Sequence, residues 1–159
     1  GTGRLIATQT AKEQIAISGK YVFQSGDIIY SKIRPYLRKA ILASFQGLCS
    51  ADMYPLRPIQ GVNPRFLLAV ILGERFSRFA SAVSMRSGFP KINREELAEF
   101  EMAWPKPDEQ ERIAKILSVI DVEQAAVEKE LAKLRQLKSA LMADLLTGRV
   151  RVPANLEFG

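Results

Sequence analysis

From Asp108 to Leu146 the chain runs 39 residues without a Gly or Pro, and apolar side chains recur there in alternating steps of four and three. The positions are Ile113, Leu117, Ile120, Gln124, Val127, Leu131, Leu134, Lys138, Leu141 and Leu145. A spacing that averages about 3.5 residues is that of a coiled-coil seam. The pattern therefore predicts one helix, about 58 Å long at 1.5 Å per residue. Glu128, Lys129, Glu130, Lys133 and Arg135 flank the seam and leave a narrow apolar stripe, which suits another helix better than a broad sheet. Gln124 and Lys138 weaken the seam but can fix its register and orientation. With no second long helix in the sequence, the partner is expected to be another copy or another protein.

Upstream, the pattern is mixed. Short β-type runs at Tyr21 to Phe23, Asp27 to Arg34, Lys39 to Ser44 and Met53 to Arg57 are separated by Gly and Pro. A helix is predicted from Asn63, with Asn63 as N-cap, Pro64 in the first turn and Phe66, Leu67, Val70 and Ile71 at helical spacing. A second, short helix begins at Asn93, where Glu96 completes a capping box. FEMAW, residues 100–104, reads as one more strand. The prolines of Pro105-Lys106-Pro107 then disfavour helix before them, and Asp108 is expected to cap the long helix, with Glu111 three residues on. The fold class is α+β: a mainly β domain with short helices over residues 1–104, a long helix over 105–148, and a tail over 149–159.

Composition narrows the function. The apolar fraction of 47% and charged fraction of 25% are those of a folded globular chain. No run approaches the roughly 18 apolar residues that would span a bilayer, and GTGRLIATQT has no signal-peptide core. The expected address is the cytoplasm. With no His, the chain has no Ser-His-Asp or Cys-His pair and no imidazole base. Cys49, the one cysteine, rules out an internal disulfide and a cysteine-based zinc site, and is expected to be a small buried apolar residue. Asn63-Pro64-Arg65-Phe66 is explained by a helix start better than by a methyltransferase Asn-Pro-Pro-Tyr/Phe box, and Pro107-Asp108 by helix capping better than by a nuclease metal site. There is no phosphate-binding Gly-x-x-x-x-Gly-Lys-Ser/Thr loop.

The net charge of +6 is unevenly spread. Residues 1–107 carry 15 Lys+Arg against 8 Asp+Glu, whereas residues 108–148 carry 6 against 8. Most cations of the front part are arginines, whose planar fork suits phosphate oxygens and guanine edges. They cluster in GDIIYSKIRPYLRKA, residues 26–40. Strand alternation sends Ile29 and Ile33 inward and puts Ile28, Tyr30, Lys32 and Arg34 on the opposite face, followed by Pro35, Tyr36, Arg38 and Lys39. A second basic stretch, SMRSGFPKINR at residues 84–94, reads as a loop displaying Arg86, Lys91 and Arg94. A basic surface interleaved with aromatics has nucleic acid as its natural counterpart.

These residues resemble the specificity (S) subunit of type I restriction-modification systems. The resemblance rests on GDIIYSKIRPYLRKA, ADMYPLRP, SGFPKINREEL, PKPDEQERIAKILSVID and LMADLLTGRVRV. The most specific element is the pattern formed by Pro105, Glu109, Gln110, Ile113, Leu117 and Asp121. The resemblance implies a target-recognition domain that reads one half of a bipartite DNA target, and a conserved helix that pairs antiparallel with a second such helix as a spacer. It implies methyltransferase subunits that bring S-adenosylmethionine and motor-nuclease subunits that bring ATP and Mg, with no cofactor or catalysis on this chain.

One recognition domain and one helix would make a half-subunit, expected to form a homodimer through its helix on double-stranded DNA. The usual N-terminal portion of the recognition domain is expected to be missing. The DNA-contacting candidates are Lys32, Arg34, Tyr36, Arg38, Lys39, Arg86, Ser87 and Lys91. The alternative is a coiled-coil interaction module that does not read DNA.

Overall fold

The order of elements is β1 (Lys20–Phe23), β2 (Ile28–Ser31), a 3-10 turn (Pro35–Leu37), β3 (Ala40–Leu42), β4 (Gly47–Ser50), β5 (Met53–Leu56), α1 (Pro64–Leu72), α2 (Glu74–Ser84), α3 (Arg94–Ala98) and α4 (Pro107–Leu146). The structure, a computed structural model, describes residues 3–10, 13, 19–85, 89–153 and 155. The fold is α+β. The described strands form two antiparallel sheets, β3-β2-β5 and β1-β4.

β2 is the central strand, and its Ile28, Ile29 and Tyr30 are all buried. Ile28 and Tyr30 join Tyr54, Ile71, Phe76, Ala80, Val83 and Ile92 in the larger core cluster. Ile29 turns the other way, into a smaller cluster with Phe23, Ala43 and Cys49. This corrects the expectation that Ile28 and Tyr30 would share an open face with the cations. Three consecutive apolar residues are the signature of a strand covered on both faces, and here that signature outweighs alternation. Cys49 is buried as expected, and burial pushes its thiol up. β4 has no counterpart among the predicted strands. Its Gly47 lies opposite Phe23, and a Cβ there would come within 2.8 Å of the Phe23 ring. The glycine that hid the strand in the sequence is required by this ring-on-backbone packing.

The helix predicted from Asn63 forms with the expected cap, the Asn63 side chain accepting from the Arg65 and Phe66 N–H groups, but it divides at Gly73 into α1 and α2. The capping box of α3 is complete. FEMAW is not a strand: residues 101–106 have no regular structure. Its aromatics pack against helices instead, Phe100 edge-on to Phe76 at 5.0 Å and Trp104 edge-on to Phe66 at 5.4 Å between ring centres. α4 begins at Pro107, one residue earlier than predicted, because the Gln110 N–H already donates to the Lys106 carbonyl. Asp108 therefore sits inside the first turn, where its charge suits the helix dipole, and does not form the cap.

Chain contacts divide the molecule into two units, Gly1–Lys115 and Ile116–Gly159. In the first, Gln110 is fully buried; its Oε1 accepts from the Asn63 N–H (3.0 Å) and its Nε2 donates to the Pro105 carbonyl (2.9 Å). In the second, the seam residues Leu117, Ile120, Val127, Leu131, Leu134, Leu141 and Leu145 are all exposed, while Ile113, in the first unit, is half-buried.

A buried carboxylate paired with an exposed arginine braces the first unit. Asp27 is buried and accepts from Arg57 Nε and Nη2, both at 2.9 Å, and from the Gln24 N–H. The Arg57 hydrogen bonds hold the Asp27 carboxyl below its usual range, burial opposes them, and the Gln24 bond adds to them. A lowered native pKa contributes stability that is present above about pH 4 and lost as pH falls through the native value. Asp27→Asn is expected to cost about 1–2 kcal/mol at pH 7 and to flatten the fall in stability below pH 4, as read by denaturant unfolding across pH.

Candidate nucleic-acid interface

Past the end of β2 the chain keeps pairing, with a new partner. Ile33 bridges antiparallel to Lys91. The Arg34 N–H donates to the Pro90 carbonyl (2.9 Å) and the Ile92 N–H to the Lys32 carbonyl (3.0 Å). The two basic stretches, paired at Ile33 and Lys91 across 58 positions of sequence, are thus joined edge to edge, with Ile92 anchored in the core. The segment around Lys91, predicted as a loop, is accordingly part of the scaffold. Lys32 reaches over the Tyr54 ring (5.5 Å to the centroid) and lies 3.9 Å from Asp52 Oδ1. Arg94 lies over the same ring at 5.3 Å and over Tyr21 at 5.6 Å. Burial pushes the Tyr54 hydroxyl up, and the Arg94 charge opposes that shift.

Arg34 and Arg38 both adopt the left-handed conformation (φ 50° and 48°) on either side of the 3-10 turn that carries Tyr36, which is exposed. Each costs a non-glycine residue about 1–2 kcal/mol, and such strain concentrates at functional segments. Arg34→Gly and Arg38→Gly are each expected to raise stability by about 0.5–1 kcal/mol, net of the extra freedom glycine gives the unfolded chain. A thermal melt checks this.

Of the remaining sequence candidates, Lys39 is exposed, and its carbonyl accepts from the Ser31 N–H. Arg38 stands toward α2: the Glu74 carboxyl is held below its usual range first by hydrogen bonding to Arg78, then by the Arg78 charge, and more weakly by the Arg38 charge. Tyr30 is withdrawn from the surface, its hydroxyl pushed up by burial. Arg86 and Ser87 lie outside the described residues. Arg94 is not among the DNA-contacting candidates that the sequence provides, because the signal for it, two tyrosines on strands that fold beneath it, is not local. Among the described residues no group of three or more Cys, Asp or Glu side chains could hold a metal.

The first unit is thus an α+β domain with cations set over tyrosines, and α4 carries an exposed apolar seam. The chain belongs to the type I restriction-modification DNA specificity domain family, whose model matches residues 2–137. It is 35% identical over 153 residues to the type I restriction enzyme EcoDI specificity subunit of Escherichia coli, covering 94% of this chain and 34% of that protein. A chain from a structural study of assembly and conformational transition in a type I R-M system matches with a TM-score of 0.69 at 23% identity, over 91% of this chain and 38% of its own. The HsdS subunit from Thermoanaerobacter tengcongensis matches with a TM-score of 0.63 at 22% identity, over 92% and 39%. The chain therefore spans little more than a third of the relatives it matches.

Proposed function

We propose that this chain recognises double-stranded DNA as the specificity component of a type I restriction-modification complex and reads one half of a bipartite target. The observation that carries this reading is the joining of the two basic stretches through the Ile33–Lys91 bridge, in a chain of this family. Lys32, Arg34, Tyr36, Arg38, Lys39 and Lys91, with Arg86 and Ser87, are the proposed DNA contacts. Lysines and arginines on such a surface release counterions from phosphates and supply affinity; the few that reach base edges supply selectivity.

α4 is the proposed site of assembly. Its seam pairs with a second copy and its flanks receive methyltransferase and restriction subunits, so that two recognition domains lie at a fixed separation on an interrupted palindrome. The chemistry belongs to those partners, with S-adenosylmethionine, ATP and Mg on them, acting on DNA in the cytoplasm. None of the described helices is long and apolar enough to cross a membrane.

The test is titration of the assembled complex with random-sequence duplex at two salt concentrations. Binding that weakens steeply with salt is expected. Undetectable binding at low salt would favour a module that recognises only protein, for which the exposed seam also speaks.

A further inference from the structure

On the DNA-recognition reading above, we infer that Arg94 is a specificity-determining residue that takes the O6/N7 edge of a guanine, and that Tyr21 and Tyr54 are its positioning residues. Arg57, Arg75 and Arg78 spend their donors within the chain, on Asp27, the Glu101 carbonyl and Glu74. Arg34, Arg38 and Arg65 leave theirs free as Arg94 does, but only Arg94, among the described arginines, is set over two tyrosines. It is exposed, its guanidinium lies over two tyrosine rings, and none of its N–H groups donates to a described residue.

A guanidinium that rests over aromatic rings and donates to no neighbour keeps its N–H donors available and loses little freedom when a bidentate acceptor arrives. Guanine O6 and N7 form such an acceptor in the major groove. The backbone beneath is fixed as well. Residues 90–92 pair with 32–34, and the Asn93 and Glu96 side chains each accept from the other's backbone N–H at 2.8 Å. Lys91, in the bridge with Ile33, and Lys32, next to Ile33 on the paired segment, are point charges suited to the phosphates that flank a read base.

The experiment selects bound sequences from a library of random duplexes with the reconstituted complex, carrying the unaltered chain or Arg94→Lys, Tyr21→Leu or Tyr21→Phe. Arg94→Lys is expected to lose preference at one G·C position by roughly 10- to 100-fold and to keep the rest of the motif. Tyr21→Leu should relax the same position with an unchanged melting temperature, and Tyr21→Phe, which keeps the ring, should restore it. An unchanged Arg94→Lys motif, or uniformly weaker binding to all sequences, would overturn the assignment and make Arg94 a bystander or a phosphate ligand. Selection of no motif by the unaltered complex would instead overturn the DNA-recognition reading, and Arg94's role with it.

Discussion

On the proposed self-pairing of α4, Leu131→Glu combined with Leu134→Glu is expected to convert the chain from dimer to monomer in solution at concentrations where the unaltered chain pairs. Both leucines are exposed on the isolated helix, and both occupy seam positions, where paired helices would bury them. A carboxylate there must be desolvated without a cation designed to meet it, and two copies place such charges against each other. A weakening of at least about 100-fold, or about 3 kcal/mol, follows. Solution mass across a dilution series reads it directly, with circular dichroism confirming that the helix persists. A strict monomer for the unaltered chain at high concentration would remove the self-pairing proposal and leave the seam to another protein.

Gln110→Leu is expected to lower stability by about 2–3 kcal/mol, because it leaves the Asn63 N–H and the Pro105 carbonyl without the partners that one buried amide supplies. At about 2–4 °C per kcal/mol for a chain of this size, the melting temperature should fall by roughly 5–10 °C. The leucine fills most of the space, so the loss reports hydrogen bonds and not a cavity. The substitution also explains a motif: in the Pro105, Glu109, Gln110 pattern, glutamine is needed because it satisfies a donor and an acceptor at once, at the junction of α1 and α4. A change below about 0.5 kcal/mol would show that water replaces the amide without loss.

What could be read from the sequence was what is locally encoded. Asn63 with Pro64, Asn93 with Glu96, and the Gly-free, Pro-free run after Pro107 each carry their cause within a few residues, and each formed its helix. Strand β1 was found one residue longer than predicted, and β2, β3 and β5 with shorter bounds. What failed depended on partners distant in sequence. Tyr30 went inward because β2 acquired cover on both faces. β4 was invisible because its glycine exists for the Phe23 ring. FEMAW looked like a strand, but its aromatics found helices to pack on. The candidate site followed the same rule: its cations were legible, but the Ile33–Lys91 bridge and the tyrosines beneath Arg94 were not.

Amide hydrogen exchange of the assembled complex, with and without duplex, tests the central claim most directly, since it reports which backbone segments a bound duplex covers or steadies. The account predicts slowed exchange at residues 32–39 and 89–94, where the two basic stretches meet. Unchanged exchange in both segments under saturating DNA, with protection confined to other parts of the chain, would contradict it.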